Sequence, residues 1–193
     1  MKDKIKSILS ESIALKEKVC RDDSVASIAK LAELVISCFK NGGKLILFGN
    51  GGSASDAQHI AAEFVGRFIQ ERKALPAIAL TCNTSILTCL GNDYGFEQIF
   101  SRQIEALGKG KDLVIAISTS GKSPNVVAAI SKAKKMGLKT AALTAEAGAK
   151  LAQMTDVAVC VPSKNTARIQ EAHITIGHII CELTERAFFK SDD

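Results

Sequence analysis

Short apolar runs recur along the chain, each followed by glycine, serine or another turn-forming residue, and stretches of helical period lie between them. The runs at residues 44–48, 76–80, 112–117, 139–143 and 156–161 read as strands, because they are brief, unbroken and bounded by turn signals. The run at 112–117 is continuous, as in parallel strands covered on both faces. Residues 3–20 place Ile5, Ile8, Leu9, Ser12, Leu15 and Val19 at three- and four-residue steps, the period of an amphipathic helix. A second helix is predicted over 23–41, stopped by Gly42 and Gly43. A third starts near Ala54 with Ser53 or Ser55 as its N-cap. A short helix follows residues 81–85, a polar turn covers 91–95, and helices are predicted over 96–107, 125–136 and 166–190. Residues 146–150 read as a loop or a single turn.

Strands alternating with helices define one α/β domain with a largely parallel sheet and right-handed crossovers. No linker or internal repeat interrupts it. Two helices before the first strand exceed what a minimal sheet requires. The apolar faces within 1–42 therefore need a partner, either the sheet or another subunit, and packing in an oligomer is the expectation.

A length of 193 residues with 47% apolar content suits one well-buried domain and is short for two. The net charge of +5 is spread along the chain. That suits an anionic substrate, and without a lysine-arginine block it argues against a nucleic-acid partner. The charged N-terminus lacks the apolar segment of a secretory signal, and no run approaches the roughly 20 residues of a membrane span. A cytoplasmic protein with no membrane partner is expected. Six cysteines without C-x-x-C spacing sit among apolar residues, so they are read as small buried hydrophobes with reduced thiols.

The richest chemistry lies in residues 45–67. Gly49-Asn50-Gly51-Gly52 joins a strand end to a helix start, where free N–H groups and the helix dipole favour an anion. Along that helix Asp56, Glu63 and Arg67 fall within about 20° of one line and His59 about 60° to one side. Ala57, Ile60, Ala61, Phe64 and Phe68 form the apolar side. His59 and Glu63, one turn apart, can share a metal or a substrate. A solvated polar stripe is the alternative, and residue physics alone leaves both open.

Ser118-Thr119-Ser120-Gly121-Lys122-Ser123 is a second candidate for anion binding, since hydroxyls and amides can converge on phosphate oxygens there. Taken alone it also reads as an ordinary serine-rich loop. Neither loop has dinucleotide or P-loop spacing. On the last helix His173 and His178 point about 140° apart, so they cannot face one site, and His173 reads as a packed or surface residue. Gln170 and His178 are separated by roughly 12 Å of helix rise. Metal–ligand bonds to nitrogen or oxygen span only about 2.0–2.2 Å, so if both serve one ion, one of them comes from a neighbouring subunit.

Gly49-Asn-Gly-Gly-Ser-Ala-Ser-Asp-Ala-Gln-His59, Ala62-Glu63, Gly91-Asn92-Asp93-Tyr94-Gly95, Ser118-Thr-Ser-Gly121 and Arg168-Ile-Gln-Glu-Ala-His173 together resemble the phosphoheptose isomerases of the sugar isomerase (SIS) superfamily. The resemblance runs in order over nearly the whole chain. It implies a three-layer αβα sandwich around a five-stranded parallel sheet, and a homotetramer with active sites at subunit interfaces. It implies conversion of D-sedoheptulose 7-phosphate to D-glycero-D-manno-heptose 7-phosphate, toward the heptose of lipopolysaccharide core or capsule. It further implies one zinc per subunit, held by His59, Glu63, Gln170 and His178. The sugar phosphate would be lined by Asn50, Gly51, Gly52, Ser53, Glu63, Asn92, Asp93, Ser118, Thr119, Ser120, Ser123 and Gln170.

Glu63 is then the expected carbon base and His178 the carrier of protons between oxygens. Relatives that regulate replication initiation keep the fold but replace this glutamate and this histidine. Both are present here, which favours an enzyme over a non-catalytic module that binds a phosphosugar or an initiator protein. Ala167 departs from relatives with an acidic residue at that position, so no carboxylate role is carried over to it.

Overall fold

The structure is a computed structural model that describes residues 1–189. Strands β1 (Leu45–Gly49), β2 (Ala77–Ala79), β3 (Leu113–Ile117), β4 (Lys139–Ala145) and β5 (Val157–Val161) form one sheet in the order β2-β1-β3-β4-β5. Every pairing is parallel: Leu45 lies opposite both Ala77 and Leu113, Leu113 opposite Lys139, and Ala141 opposite Val157. The order reverses between β1 and β3, where open α/β sheets bind ligands beyond their carboxyl ends.

Alternation along the strands assigns two faces. Leu45, Leu47, Leu113, Ile115, Ile117, Ala141 and Leu143 join one core with α1 (Lys2–Val19), α2 (Asp22–Lys40), α3 (Gly52–Val65) and α8 (Thr166–Phe188). Ile46, Phe48, Val114, Ala116 and Ala142 join the other with α4 (Thr84–Asp93), α5 (Ser101–Leu107), α6 (Pro124–Lys135) and α7 (Ala149–Met154). The expected αβα sandwich with five parallel strands is the observed one.

The two N-terminal helices differ. On α2, Ile28, Leu31, Ala32, Val35, Cys38 and Phe39 are buried against the sheet and α8, so this face of the helix covers its own domain. The sheet's β3–β5 half needs that cover, because parallel strands bury both faces. On α1 only Leu15 is buried, while Ile5, Leu9 and Ile13 are more than half exposed.

Several local expectations are corrected. Helix α3 begins after Gly51 at φ +56°, a conformation that glycine adopts without strain, so neither Ser53 nor Ser55 is its N-cap. It ends at Val65, which takes Arg67 off the predicted line of side chains, and Arg67 instead pairs with Glu71 at 3.6 Å. The expected polar turn at 91–95 is largely the last turn of α4, whose start is capped by Asn83 Oδ1 accepting from Ile86 N at 3.0 Å. Exposed polar residues at a helix end and in a turn look alike in sequence.

The single helix expected over 96–107 is a 3-10 turn, Phe96–Gln98, followed by α5. The Ser101 hydroxyl donates to Gln98 O and Oε1 at 3.2 and 2.7 Å, a local bond that competes with a continuous helix. Residues 146–150 enter a second 3-10 turn, Glu146–Gly148, and the start of α7. The last helix is assigned to Phe188, and its predicted end at residue 190 lies outside the described residues.

Only Cys38 and Cys181 are buried, whereas Cys20, Cys82, Cys89 and Cys160 are exposed. Apolar neighbours in sequence are not neighbours in space on an amphipathic element. Among the described residues no helix is long and apolar enough to cross a membrane.

Candidate active site

At the end of β1 the chain turns through Gly49 to Gly52. A Cβ on Gly49 would lie 2.6 Å from Ile117 O, so glycine lets β1 and β3 close up at the switch point. A Cβ on Gly52 would collide with the Gln170 carboxamide, which places Gln170 of α8 directly against this loop. Asn50 reaches across the reversal to Asn125, the second residue of α6. Their side-chain amides exchange two hydrogen bonds, each 2.9 Å. Ser53 is buried beneath the turn.

The loop after β3 is braced from beneath. Ser118 Oγ accepts from Gly121 N at 3.1 Å, and Gly121, at φ +61°, packs on Gly148. Thr144 Oγ1 donates to Ser118 O at 2.7 Å, and His173 Nε2–H donates to Thr144 O at 3.0 Å. The buried His173 is thus a structural link between α8 and the serine loop. Burial lowers its pKa below 6.5, against an opposing effect from the Thr144 bond, and keeps the ring neutral. Ser123 sits at the N-cap of α6 without a side-chain capping bond, Ser120 Oγ accepts from Lys122 N at 3.3 Å, and Thr119 is half-buried.

A second group forms where α8 crosses α3. A Cβ on Gly177 would come within 2.7 Å of Ile60 Cδ1, so this glycine permits the close crossing. His178, the next residue, brings Nε2 to 3.4 Å from His59 Nε2, with ring centroids 5.0 Å apart and planes at 72°. His59 Nε2 lies 2.9 Å from Glu63 Oε1. One ligand atom from each of His59, Glu63 and His178 fits within 4.8 Å of the other two. Two ring nitrogens facing each other need a proton or a cation between them, and two imidazoles with a carboxylate form a donor set that zinc accepts.

His178 therefore meets His59 and Glu63 within its own chain, while Gln170 lies two turns away at Gly52. The helix rise keeps the two apart. Asn92 and Asp93 stand on the exposed end of α4, where Asn92 Nδ2 donates to Asp93 Oδ1 at 2.7 Å. Among the described residues no hydrogen bond joins them to either loop. Asp56 has a buried Oδ2 without a hydrogen-bond partner, and burial pushes its pKa up to about 6 although His59 opposes the shift.

The sequence reading did not single out Asn125, Thr144, Arg72 or Glu185. Asn125 carried one faint signal, a carboxamide at the start of a helix behind the serine loop. The others depend on partners remote in sequence.

Residues 9–145 match the family model of the SIS domain. The chain is 53% identical to the phosphoheptose isomerase of Roseiflexus sp. (strain RS-1), over 94% of this chain and 92% of that one. It is 52% identical to the phosphoheptose isomerase of Aquifex aeolicus, over 96% of each chain. Among solved structures, the phosphoheptose isomerase of Neisseria gonorrhoeae superposes with a TM-score of 0.90 at 42% identity, covering 96% of this chain and 98% of that one. The sugar isomerase domain of a Sphaerobacter thermophilus transcription factor, at TM-score 0.64 and 16% identity over 94% of this chain and 89% of that one, shares the fold alone.

Proposed function

The chain belongs to the phosphoheptose isomerases of the SIS domain family, and from that premise we propose that it converts D-sedoheptulose 7-phosphate to D-glycero-D-manno-heptose 7-phosphate through a cis-enediol. The observation that carries this is the gathering of His59, Glu63 and His178 ligand atoms within 4.8 Å, in a fold whose two glycine- and serine-rich loops suit a phosphosugar. An aldose–ketose shift moves the C1 proton of the ketose to C2 and the O1 proton to O2. Glu63 takes the proton from C1 and returns it to C2, since one positioned carboxylate serves both steps. His178 carries the proton between the oxygens, as imidazole exchanges protons near neutral pH.

The amides and hydroxyls of Asn50 to Ser53 and of Ser118 to Ser123 hold the phosphate and orient the reacting carbons, with Asn92 and Asp93 as further contacts. His59, Glu63 and His178 would hold zinc, with Gln170 as a fourth ligand, and the ion when bound supplies Lewis-acid polarisation of the carbonyl. Gln170 and His178 stand about 12 Å apart along α8. A shared site therefore takes them from two chains of a homotetramer with interfacial active sites. A cytoplasmic enzyme feeding heptose into lipopolysaccharide core or capsule completes the assignment.

The test is to incubate the purified protein with sedoheptulose 7-phosphate, with and without a chelator. Aldoheptose should form, cease with chelation and return with added zinc. No product, with chelation changing only stability, would identify a non-catalytic module instead. Glu63→Gln should still bind the sugar phosphate in calorimetry while turnover falls by orders of magnitude, and near-normal turnover would remove Glu63 as the base.

A further inference from the structure

Glu185 is buried on α8, two turns beyond His178. Its Oε1 accepts from Phe68 N at 2.8 Å and Arg72 Nε at 2.7 Å, and its Oε2 accepts from Ile69 N at 2.9 Å and Gln70 N at 3.1 Å. Arg72, equally buried, turns its other nitrogens to Glu63 O at 2.7 Å, Phe64 O at 2.9 Å, Gly66 O at 3.2 Å and Lys73 O at 3.1 Å. Several of these are the carbonyls that a helix leaves without amide partners at its C-terminus. One ion pair thus binds the last turn of α3, which carries Glu63, to α8, which carries His178.

As a source of stability the pair is poor, because desolvation offsets much of the attraction between buried charges. Its geometric consequence is more specific. Phe68, the first amide in the Glu185 cradle, lays its ring against His178 with centroids 5.3 Å apart and planes at 38°. The His178 ring thus packs on two neighbours, Phe68 and, edge-on at 5.0 Å, His59.

We propose that Glu185 and Arg72 are positioning residues for His178: by cradling the backbone of residues 68–70 they set Phe68 against the imidazole and aim its Nε2 at His59 and Glu63. The catalytic part of this inference rests on the isomerase reading, whereas the geometric part does not require turnover.

The chain has three histidines, so ring C–H resonances of isotope-labelled protein can be followed one by one. Phe68→Leu removes the aromatic ring beside His178 and defines the resonance position without it. In Glu185→Gln the His178 signal should move toward that position while the His173 signal stays. The same variant should lose about tenfold in kcat with KM changed less than about twofold, the scale seen when a partner of a functional side chain is removed. Phe68→Tyr keeps the ring and should keep kcat, whereas Phe68→Leu should lose it.

A Glu185→Gln protein with a lowered melting temperature but an unmoved His178 signal would make the pair a fold brace only, and overturn the proposal. Unchanged kcat in Phe68→Leu would overturn it too, even if Glu185→Gln failed to fold. If the wild type forms no aldoheptose, the isomerase reading falls and the resonance shift still decides the geometry.

Discussion

His173, buried, and Asp56, half-buried, are two titratable groups in one domain with opposite effects on stability. The His173 pKa is lowered from 6.5, so below pH 6.5 the unfolded chain binds a proton that the folded chain refuses. Stability from this group is full above 6.5 and is lost as pH falls toward the depressed value. Asp56 is raised from 3.8 to about 6, so the folded chain binds the extra proton, and stability is lost as pH rises through that window. Urea titrations of chelator-treated protein between pH 4 and 7.5 should separate them. His173→Gln should flatten the loss on acidification, at a cost in overall stability from the broken Thr144 bond. Asp56→Asn should raise the midpoint at pH 7, by no more than about 1 kcal/mol because the group is partly solvated. A lower midpoint in Asp56→Asn would mean that its charge is satisfied at neutral pH.

At the scale of elements, three glycines set how closely the pieces that carry the site approach. A Cβ on Gly49 faces backbone, Ile117 O at 2.6 Å, and backbone within a paired sheet yields little. Gly49→Ala should cost about 1–3 kcal/mol by urea denaturation. The obstacle at Gly52 is the movable Gln170 carboxamide, and alanine at that position favours the helix. Gly52→Ala should therefore leave stability nearly unchanged while displacing Gln170, seen as weaker sugar phosphate binding. Equal stability losses in both variants would contradict this division. Gly177 brings α8 onto Ile60 and so determines whether His178 reaches His59 at all.

At the scale of the molecule, α1 leaves Ile5, Leu9 and Ile13 exposed at 51%, 58% and 59%, an apolar stripe on a helix that its own domain hardly uses. If this stripe lies in the proposed tetramer, Leu9→Glu should give smaller species in sedimentation with an unchanged circular dichroism spectrum. A wild-type sedimentation pattern in that variant would put the interface elsewhere. The separation of Gln170 from His178 along α8 makes a second prediction. Chains carrying Gln170→Ala and chains carrying His178→Ala, each weak or inactive alone, should regain activity when refolded together, because mixed assemblies rebuild some sites with both residues. No recovery would place all the site residues within single chains.

Local pattern determined much of this protein. The apolar runs located all five strands, and most plainly β1, β3 and β4, because a run buried on both faces has few other uses. Glycine after the first strand marked the loop, and helix rotation separated His173 from His178 as the structure does, one buried on Thr144 and the other facing His59. Periodicity reports where a side chain points relative to its own axis. It says nothing of what arrives from elsewhere. Only the packed chain decided that α2 is a core helix, that four cysteines face outward, and that Asn92 and Asp93 end a helix. It also decided the pairings of Asn50 with Asn125, Arg72 with Glu185 and His59 with His178, which bridge separations of 75, 113 and 119 residues. Strand order and helix crossing fix such contacts, so His59 and Glu63 could be proposed from their spacing, while His178, implied as a ligand by the resemblance, was brought beside them within one chain only by the crossing of α8 over α3 at Gly177.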